Sequence, residues 1–316
     1  MNTIYYKYSD YLKNQYGEKV YKLPINLPVT CPNRDGILGN NGCSFCADIA
    51  TGFESLDNQL TVKEQLSKNM DYMGKRYKAN KFIAYFQNYT NTYLPLSDFK
   101  KYIKEALVEN IVEISISTRP DSINEDYLKF LYEIKKTSNV NISIELGLQS
   151  INHKTLKKIN RGHTLAEYID AVLMIKKYDF EICTHLILNL PFDDEDDIIE
   201  AAKILSSLKI TGVKLHSLYI PKNSMMANEF LNNELNLISL DDYKKRVIRF
   251  LRYLSKDIVI HRLLGRAPKE DTLFCNWNTS WWKIKDDIEF TMQEKNYKQG
   301  DLCNYLNGKA LKNING

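Results

Sequence analysis

Short apolar runs alternate along the chain with longer stretches in which apolar residues recur every three or four positions. The runs FIAYF at 82–86, IVEISIS at 111–117, VNISIEL at 140–146, EICTHLILN at 181–189, GVKLHSLY at 212–219 and DIVIHRLL at 257–264 read as strands, preceded by a first strand over INLPV at 25–29. Between them, Val62, Leu66, Met70, Met73 and Tyr77 fall at helical spacing, and further helices are expected over 97–109 and 125–136, through Ile198, Ala201, Ala202 and Leu205, and over 241–255. The segment HTLAEYIDAVLMIKKY from His163 carries a capping box in Thr164 and Glu167, with Ile169, Val172 and Leu173 as its buried face.

At least six β/α units in register predict a parallel sheet covered by helices. The expected fold is α/β, a partial (β/α)6-type TIM barrel over residues 1–240 with a C-terminal extension over 241–316 packed on it. A doubly wound open sheet stays open at this point, because periodicity does not distinguish a closed sheet from an open one. In a barrel, reactive groups sit at the C-terminal ends of strands and in the loops that follow.

Composition changes this picture in two places. No apolar run is long enough to span a membrane and the first residues lack the apolar core of a signal peptide, so a cytoplasmic location is expected. In that reducing compartment clustered cysteines bind metal or do redox chemistry rather than form disulfides. From 241 onward fifteen Lys and Arg face ten Asp and Glu, so the net charge of +4 is concentrated at that end. The excess fits either an anionic partner or a solvated basic face.

Three of the six cysteines, Cys31, Cys43 and Cys46, fall within CPNRDGILGNNGCSFC, directly after the first strand. Structural zinc takes four ligands, usually as two close pairs. Cys183, Cys275 and Cys303 stand isolated, and Cys275 reads as a small buried residue. Three thiolates suit a [4Fe–4S] cluster with one iron left open. S-adenosylmethionine, which carries an amine and a carboxylate on one carbon, can chelate that iron. The alternative is zinc completed by a distant residue.

Lys214 and His216 alternate on one strand face, so in a barrel both point inward as candidates for substrate binding or proton transfer. Tyr89 and Tyr219 can relay or quench a radical, or simply pack. Thr118 and Arg119 end a strand, where the arginine faces either substrate or the cysteine loop. Glu145 lies within a strand, and a carboxylate buried there needs a partner.

CPNRDG followed by GCSFC resembles the radical SAM superfamily. Together with YFQNYTNTY from Tyr85, STRPD from Ser117, IELGLQS from Ile144, NRGHT from Asn160, THLILNLPFD from Thr184, VKLHSLY from Val213, LLGRAPKEDTLFCNW from Leu263 and the late Gln299-Gly300, it resembles the YhcC/YtqA-type subfamily. That subfamily is related to the elongator catalytic subunit and to oxygen-independent coproporphyrinogen oxidase. The resemblance implies cluster ligation by Cys31, Cys43 and Cys46, and S-adenosylmethionine contacts from Phe45, Glu145, Gln149, Arg161 and His185. Phe45 would lie against the adenine or pack under its loop. Gln149 and Arg161 keep the family spacing, with Arg161 on the methionine carboxylate or in a salt bridge, and Gln149 a contact or a cap. His185 stands where relatives place a ribose-contacting acid, so it is either a contact or a core histidine.

The resemblance further implies a 5′-deoxyadenosyl radical made with an electron from a donor such as flavodoxin or ferredoxin. Its implied substrate is tRNA, with wobble carboxymethylaminomethyluridine processed to aminomethyluridine for a tRNA methyltransferase to extend. Lys244, Lys245, Arg246, Arg249 and Arg252 on one helix, with Trp277, Trp281 and Trp282 downstream, suit RNA phosphates and an unstacked base, or equally a basic helix over a core. A small metabolite or tetrapyrrole substrate, and a non-catalytic metal-cluster module, are the other readings.

Overall fold

The computed structural model describes residues 3–46, 55–266 and 270–312. In chain order its elements are α1 (Tyr8–Tyr16), β1 (Val20–Asn26), α2 (Val62–Tyr77), β2 (Lys81–Gln87), α3 (Leu96–Glu105), β3 (Ile111–Thr118), α4 (Glu125–Ser138), β4 (Asn141–Gln149), α5 (His153–Lys158), α6 (Leu165–Lys176), β5 (Glu181–Ile187), α7 (Glu195–Ser207), β6 (Gly212–His216), β7 (Tyr219–Pro221), α8 (Met225–Leu231), α9 (Leu240–Tyr253), β8 (Val259–Arg262), β9 (Thr272–Cys275) and α10 (Trp281–Glu294).

Seven strands pair in the order β1-β2-β3-β4-β5-β6-β8, every pair parallel, which makes a partial barrel with helices outside. The outward side chains, among them Ile114, Ile116, Ile142, Ile144, Val213 and Leu215, form one continuous core with the helices. Burial of such mostly β-branched side chains on the outward face, alternating with polar inward residues, is what commits these runs to strands rather than helices. Helix starts are fixed locally: Thr61, Thr164 and Asp194 each close a capping box, the Thr164–Glu167 pair among them.

The gap between β8 and β1 is filled by α1 rather than by a strand. Just ahead of α1, Lys7 makes a parallel bridge to Ile260, and the Ile260 amide donates to the Tyr6 carbonyl at 2.8 Å. The helix then crosses the N-terminal ends of the strands and drops three tyrosines into the barrel. Tyr8 stacks on His261 at 3.8 Å, Tyr11 donates to Glu181 at 2.6 Å, and Tyr16 donates to Glu113 at 3.1 Å.

Several expectations shift. The first strand ends at Asn26 and includes Lys22, which faces the barrel interior. The run at 212–219 breaks after His216, and β7 leaves the sheet to pair antiparallel with β9. Leu173 is exposed, and the buried face of α6 is Tyr168, Ala171, Val172 and Ile175 instead. Among the described residues no helix is long and apolar enough to cross a membrane.

Candidate active site

The loop after β1 is held against the segment joining β4 to α6. Asn33 Nδ2 donates to the carbonyls of Asn160 at 2.6 Å and Arg161 at 3.1 Å, and Asn160 Nδ2 donates back to Gly42 O at 2.7 Å. Gly162 sits at φ 79°, and a β-carbon there would fall 2.5 Å from Asn33 Oδ1. Only glycine meets both demands. The clamp presents Cys31, Cys43 and Cys46 to the mouth of the barrel.

Two guanidinium groups stand beside the sulfurs. Arg161 Nη1 is 3.4 Å from Cys43 Sγ while its Nε and Nη2 donate to Gly147 O at 3.2 and 2.6 Å. Arg119 is fully buried, paired at both oxygens of Asp121, with Nη1 3.9 Å from Cys31 Sγ. It therefore faces the cysteine loop. Asn33 Nδ2 lies 3.6 Å from Cys43 Sγ. N–H groups directed at sulfur stabilise thiolates and tune an iron–sulfur cluster. Burial pushes the Cys46 thiol up, Cys43 adding to this and Arg34 opposing it. Among the described residues Glu145, Cys183 and His261 bring their ligand atoms within 4.8 Å of one another. The N–H donors around the loop sulfurs fit an iron–sulfur cluster.

Below the loop the barrel interior is polar. Glu145 on β4, with its side chain wholly buried, accepts from Lys22 on β1, from Lys214 Nζ at 2.6 Å, from Tyr85 Oη at 2.8 Å and from His185 Nε2 at 2.7 Å. Burial opposes the ionised carboxylate, but Lys214, Lys22 and His185 outweigh it and hold Glu145 well below the usual carboxylate range. Burial, reinforced by Lys214 and opposed by Glu145, lowers His185 to about 4. A neutral His185 that donates from Nε2 keeps Nδ1 as an acceptor. Two ammonium groups on one carboxylate also rule against a cation at Glu145, Cys183 and His261, whatever their spacing.

One wall is built from β6 and β8. His216 and Lys214 point the same way, His216 lies 5.2 Å from the His185 ring, and Arg262 Nη2 donates to His216 Nδ1 at 2.8 Å. Burial, then Arg262, His185 and Lys214, pushes His216 well below the ordinary imidazole range. At neutral pH it is therefore an uncharged acceptor.

A cavity of about 620 Å3 opens over these groups. Its lining includes Cys31, Cys43, Cys46, Phe45, Tyr89, Glu145, Gln149, Arg161, His185, Lys214 and His216, the residues singled out from the sequence, along with Thr118, Arg119, Tyr219 and Trp281. Gln149 ends β4 at φ 75°, after a register shift against β5. Lys22, Tyr85, Asn33, His163 and Arg262 escaped the sequence reading. The available signals were Lys22 at an inward strand position and Arg262 at the C-terminal end of a strand.

The basic row on α9 is paired with acids, although Lys245 and Arg249 stay exposed. Lys244 pairs with Asp241 and Asp287, Lys245 with Asp242, Arg249 with Glu195 and Arg252 with Asp301, and Arg246 donates to the carbonyls of Leu188 and Asp193. Trp277 packs against the core and donates to Ile238 O, whereas Trp281 and Trp282 are exposed. Cys275 is half-buried in β9 opposite Tyr219, not a core residue, because β9 forms a two-stranded ribbon outside the barrel.

The family model of the radical SAM superfamily matches residues 38–205, more than half of the chain, and the model of the radical SAM C-terminal domain matches 210–294. The chain belongs to the radical SAM superfamily. Members of this superfamily use a [4Fe–4S] cluster and S-adenosylmethionine. It is 30% identical over 303 residues to the uncharacterized protein YtqA of Bacillus subtilis, covering 96% of this chain and 94% of the relative. It is 32% identical over 284 residues to protein YhcC of Escherichia coli K12, covering 90% of each. These matches place it in the YhcC/YtqA-type subfamily of radical SAM proteins. The archaeal Elp3 of Methanocaldococcus infernus has a similar fold, with a TM-score of 0.68 at 14% identity over 89% of this chain and 64% of that one.

Proposed function

We propose that the chain is a tRNA-modifying radical SAM enzyme that converts wobble carboxymethylaminomethyluridine to aminomethyluridine. The observation that carries this reading is the rim of the cavity, where exposed Trp281 stands with Arg34, Arg262 and Arg266 over the polar barrel interior. An indole for an unstacked base and arginines for phosphate are what a nucleoside drawn out of an RNA loop requires. The resemblance to the elongator catalytic subunit supports the same substrate class.

Cys31, Cys43 and Cys46 would hold the cluster, and with S-adenosylmethionine bound the pair supplies a 5′-deoxyadenosyl radical able to take a hydrogen atom from an unactivated carbon. Arg161 is assigned the methionine carboxylate, which suits a planar and permanently charged group. Gln149, His185 and Phe45 are assigned the rest of that cofactor. The methylene between the amine and carboxylate of the uridine arm is the carbon most readily stripped of hydrogen; return of a second electron from it to the cluster would leave an imine, which water would hydrolyse to the aminomethyl arm and glyoxylate. Lys214, bonded to both Glu145 and Tyr85 Oη, is the group assigned to hold or move a proton beside it. Tyr89, which lines the same cavity, is assigned the relay or quenching of a radical. In this reading residues 1–240 carry the cofactors, and 241–316, which include the barrel strand β8, add Arg262, Arg266 and Trp281 to the substrate rim beside Arg34. Flavodoxin or ferredoxin delivers the electron, and a tRNA methyltransferase extends the product.

The test is anaerobic reconstitution with S-adenosylmethionine, a reductant and bulk tRNA from cells lacking the gene, with 5′-deoxyadenosine and nucleosides scored by mass spectrometry. A tRNA-stimulated burst with a changed wobble nucleoside, lost in Cys43→Ala, is expected. A slow burst indifferent to tRNA and no nucleoside change would sink the tRNA reading and leave a small-metabolite substrate.

A further inference from the structure

Charge on the β6 and β8 wall does not balance. Glu145 is the one carboxylate bonded to both Lys22 and Lys214, so that group is one positive charge in excess. Arg262 adds a second. Among the described residues it has no carboxylate partner, and its side-chain contacts are with the two nitrogens of His216, at 2.8 and 3.2 Å. Arginine in proteins ordinarily meets an acid, a phosphate or a carbonyl. Here a single guanidinium nitrogen, Nη2, meets the imidazole, which orients the group without neutralising it. The wall lies in the same cavity as the cysteine loop, and Arg161 stands at the sulfurs, so the two cationic stations are separate.

We propose that Arg262, aimed by His216 and backed by Lys214, is the subsite that recognises a carboxylate on the substrate. In the tRNA reading, on which this rests for the identity of the substrate, that carboxylate is the terminal group of the carboxymethylamino arm. A guanidinium takes both carboxylate oxygens in a planar pair, and the excess positive charge keeps the acid ionised inside the barrel mouth. The product arm ends in an ammonium group, which the same wall repels. The subsite thus separates substrate from product by charge, through an attractive contact for one and a repulsive contact for the other. His216 is a positioning residue in this scheme, because it acts through Arg262.

The test measures binding alone, on the full-length protein with its cluster reconstituted anaerobically and S-adenosylmethionine present but no reductant. The probes are two nucleosides, 5-carboxymethylaminomethyluridine and 5-aminomethyluridine, each free and within an anticodon stem-loop. Wild type is expected to prefer the acid form by about 10-fold or more, the size of a charge-assisted hydrogen bond. Arg262→Gln should bring the two forms to within about 2-fold by weakening the acid form, while Arg262→Lys keeps a partial preference. His216→Leu should lose the preference and His216→Gln, which keeps an acceptor, should restore it, a pattern that a merely structural histidine would not give. Arg249→Gln, remote from the cavity, should leave both affinities unchanged. Equal affinity of wild type for the two nucleosides, or an acid preference that survives Arg262→Gln, overturns the subsite. An acid preference confined to the free nucleosides, with no stem-loop binding, keeps the subsite and discards tRNA. Stem-loop binding indifferent to the arm keeps tRNA and discards the subsite.

Discussion

Replacing Glu145 with Gln would leave Lys22 and Lys214 facing each other in the barrel with no counter-ion. Removing one partner from a buried ion pair costs about 3–5 kcal/mol, because the remaining charge is left uncompensated. Here the side chains are 18% exposed for Lys22 and 10% for Lys214, and the Tyr85 and His185 donors lose a charged acceptor as well. For a chain of this size in urea, a loss of about 4 kcal/mol divided by a slope of roughly 3 kcal/mol per molar lowers the unfolding midpoint by on the order of 1 M. The assay is equilibrium urea unfolding of the full chain freed of metal, followed by circular dichroism. Lys22→Met, Glu145→Leu and Lys214→Met combined should recover most of the loss. A midpoint shift below about 0.3 M, or no recovery in the triple variant, would refute the view that Glu145 is the counter-ion of both lysines.

Three further outcomes follow from particular contacts. Burial and Glu181 raise Glu113 to about 7, opposed by Lys22, Ser143 and Tyr16, so its contribution to stability is present below the ordinary carboxylate range and lost as pH rises through 7. Glu113→Gln should therefore gain about 2–3 kcal/mol over wild type at pH 8 and little at pH 4, measured by urea midpoints at both. Gly162→Ala, strained by its φ of 79° and by contact with Asn33, should lower the iron and sulfide bound on reconstitution while the far-ultraviolet dichroism stays native. Trp281→Ala should weaken stem-loop binding by about 10-fold without moving the melting temperature, whereas Trp277→Ala should cost about 3–5 kcal/mol of stability; the reverse assignment would remove the argument for a base-stacking rim.

The sequence carried the barrel because its signals are local. Each strand announces itself by β-branched residues within seven or so positions, and Thr164 and Glu167 close their box across three. The cysteine loop is legible for the same reason. What escaped is pairing between distant segments. Lys22 meets Glu145 only once β1 and β4 share a barrel interior, and nothing near either residue records the other. The α9 cations looked like an RNA surface because Asp301 and Glu195, which occupy Arg252 and Arg249, are supplied by other elements. Leu173 illustrates a third limit: with apolar residues on more than one face of α6, periodicity alone does not choose the face that packs. The break after His216 has no helix-like or turn-like composition to mark it.

The seam beside α1 also bears on how the chain is made. Tyr6 N donates to Gln299 Oε1 at 2.9 Å, Gln299 N donates to Ile4 O at 2.9 Å, and the Gln299 amide holds the carbonyls of Ser255 and Ile258. A ribosome adding roughly 5–20 residues per second needs about 15–60 s to travel from one side of that seam to the other. Until His261 has been made, Tyr8, Tyr11 and Tyr16 lack the complete surface they seal, and the floor of the barrel lies open to water and to chaperones. Final closure must therefore wait until Gln299 has been synthesised. The polar floor, with Glu113 and Glu181 in place of an apolar plug, is well suited to that wait, because it offers a neighbouring nascent chain little to stick to.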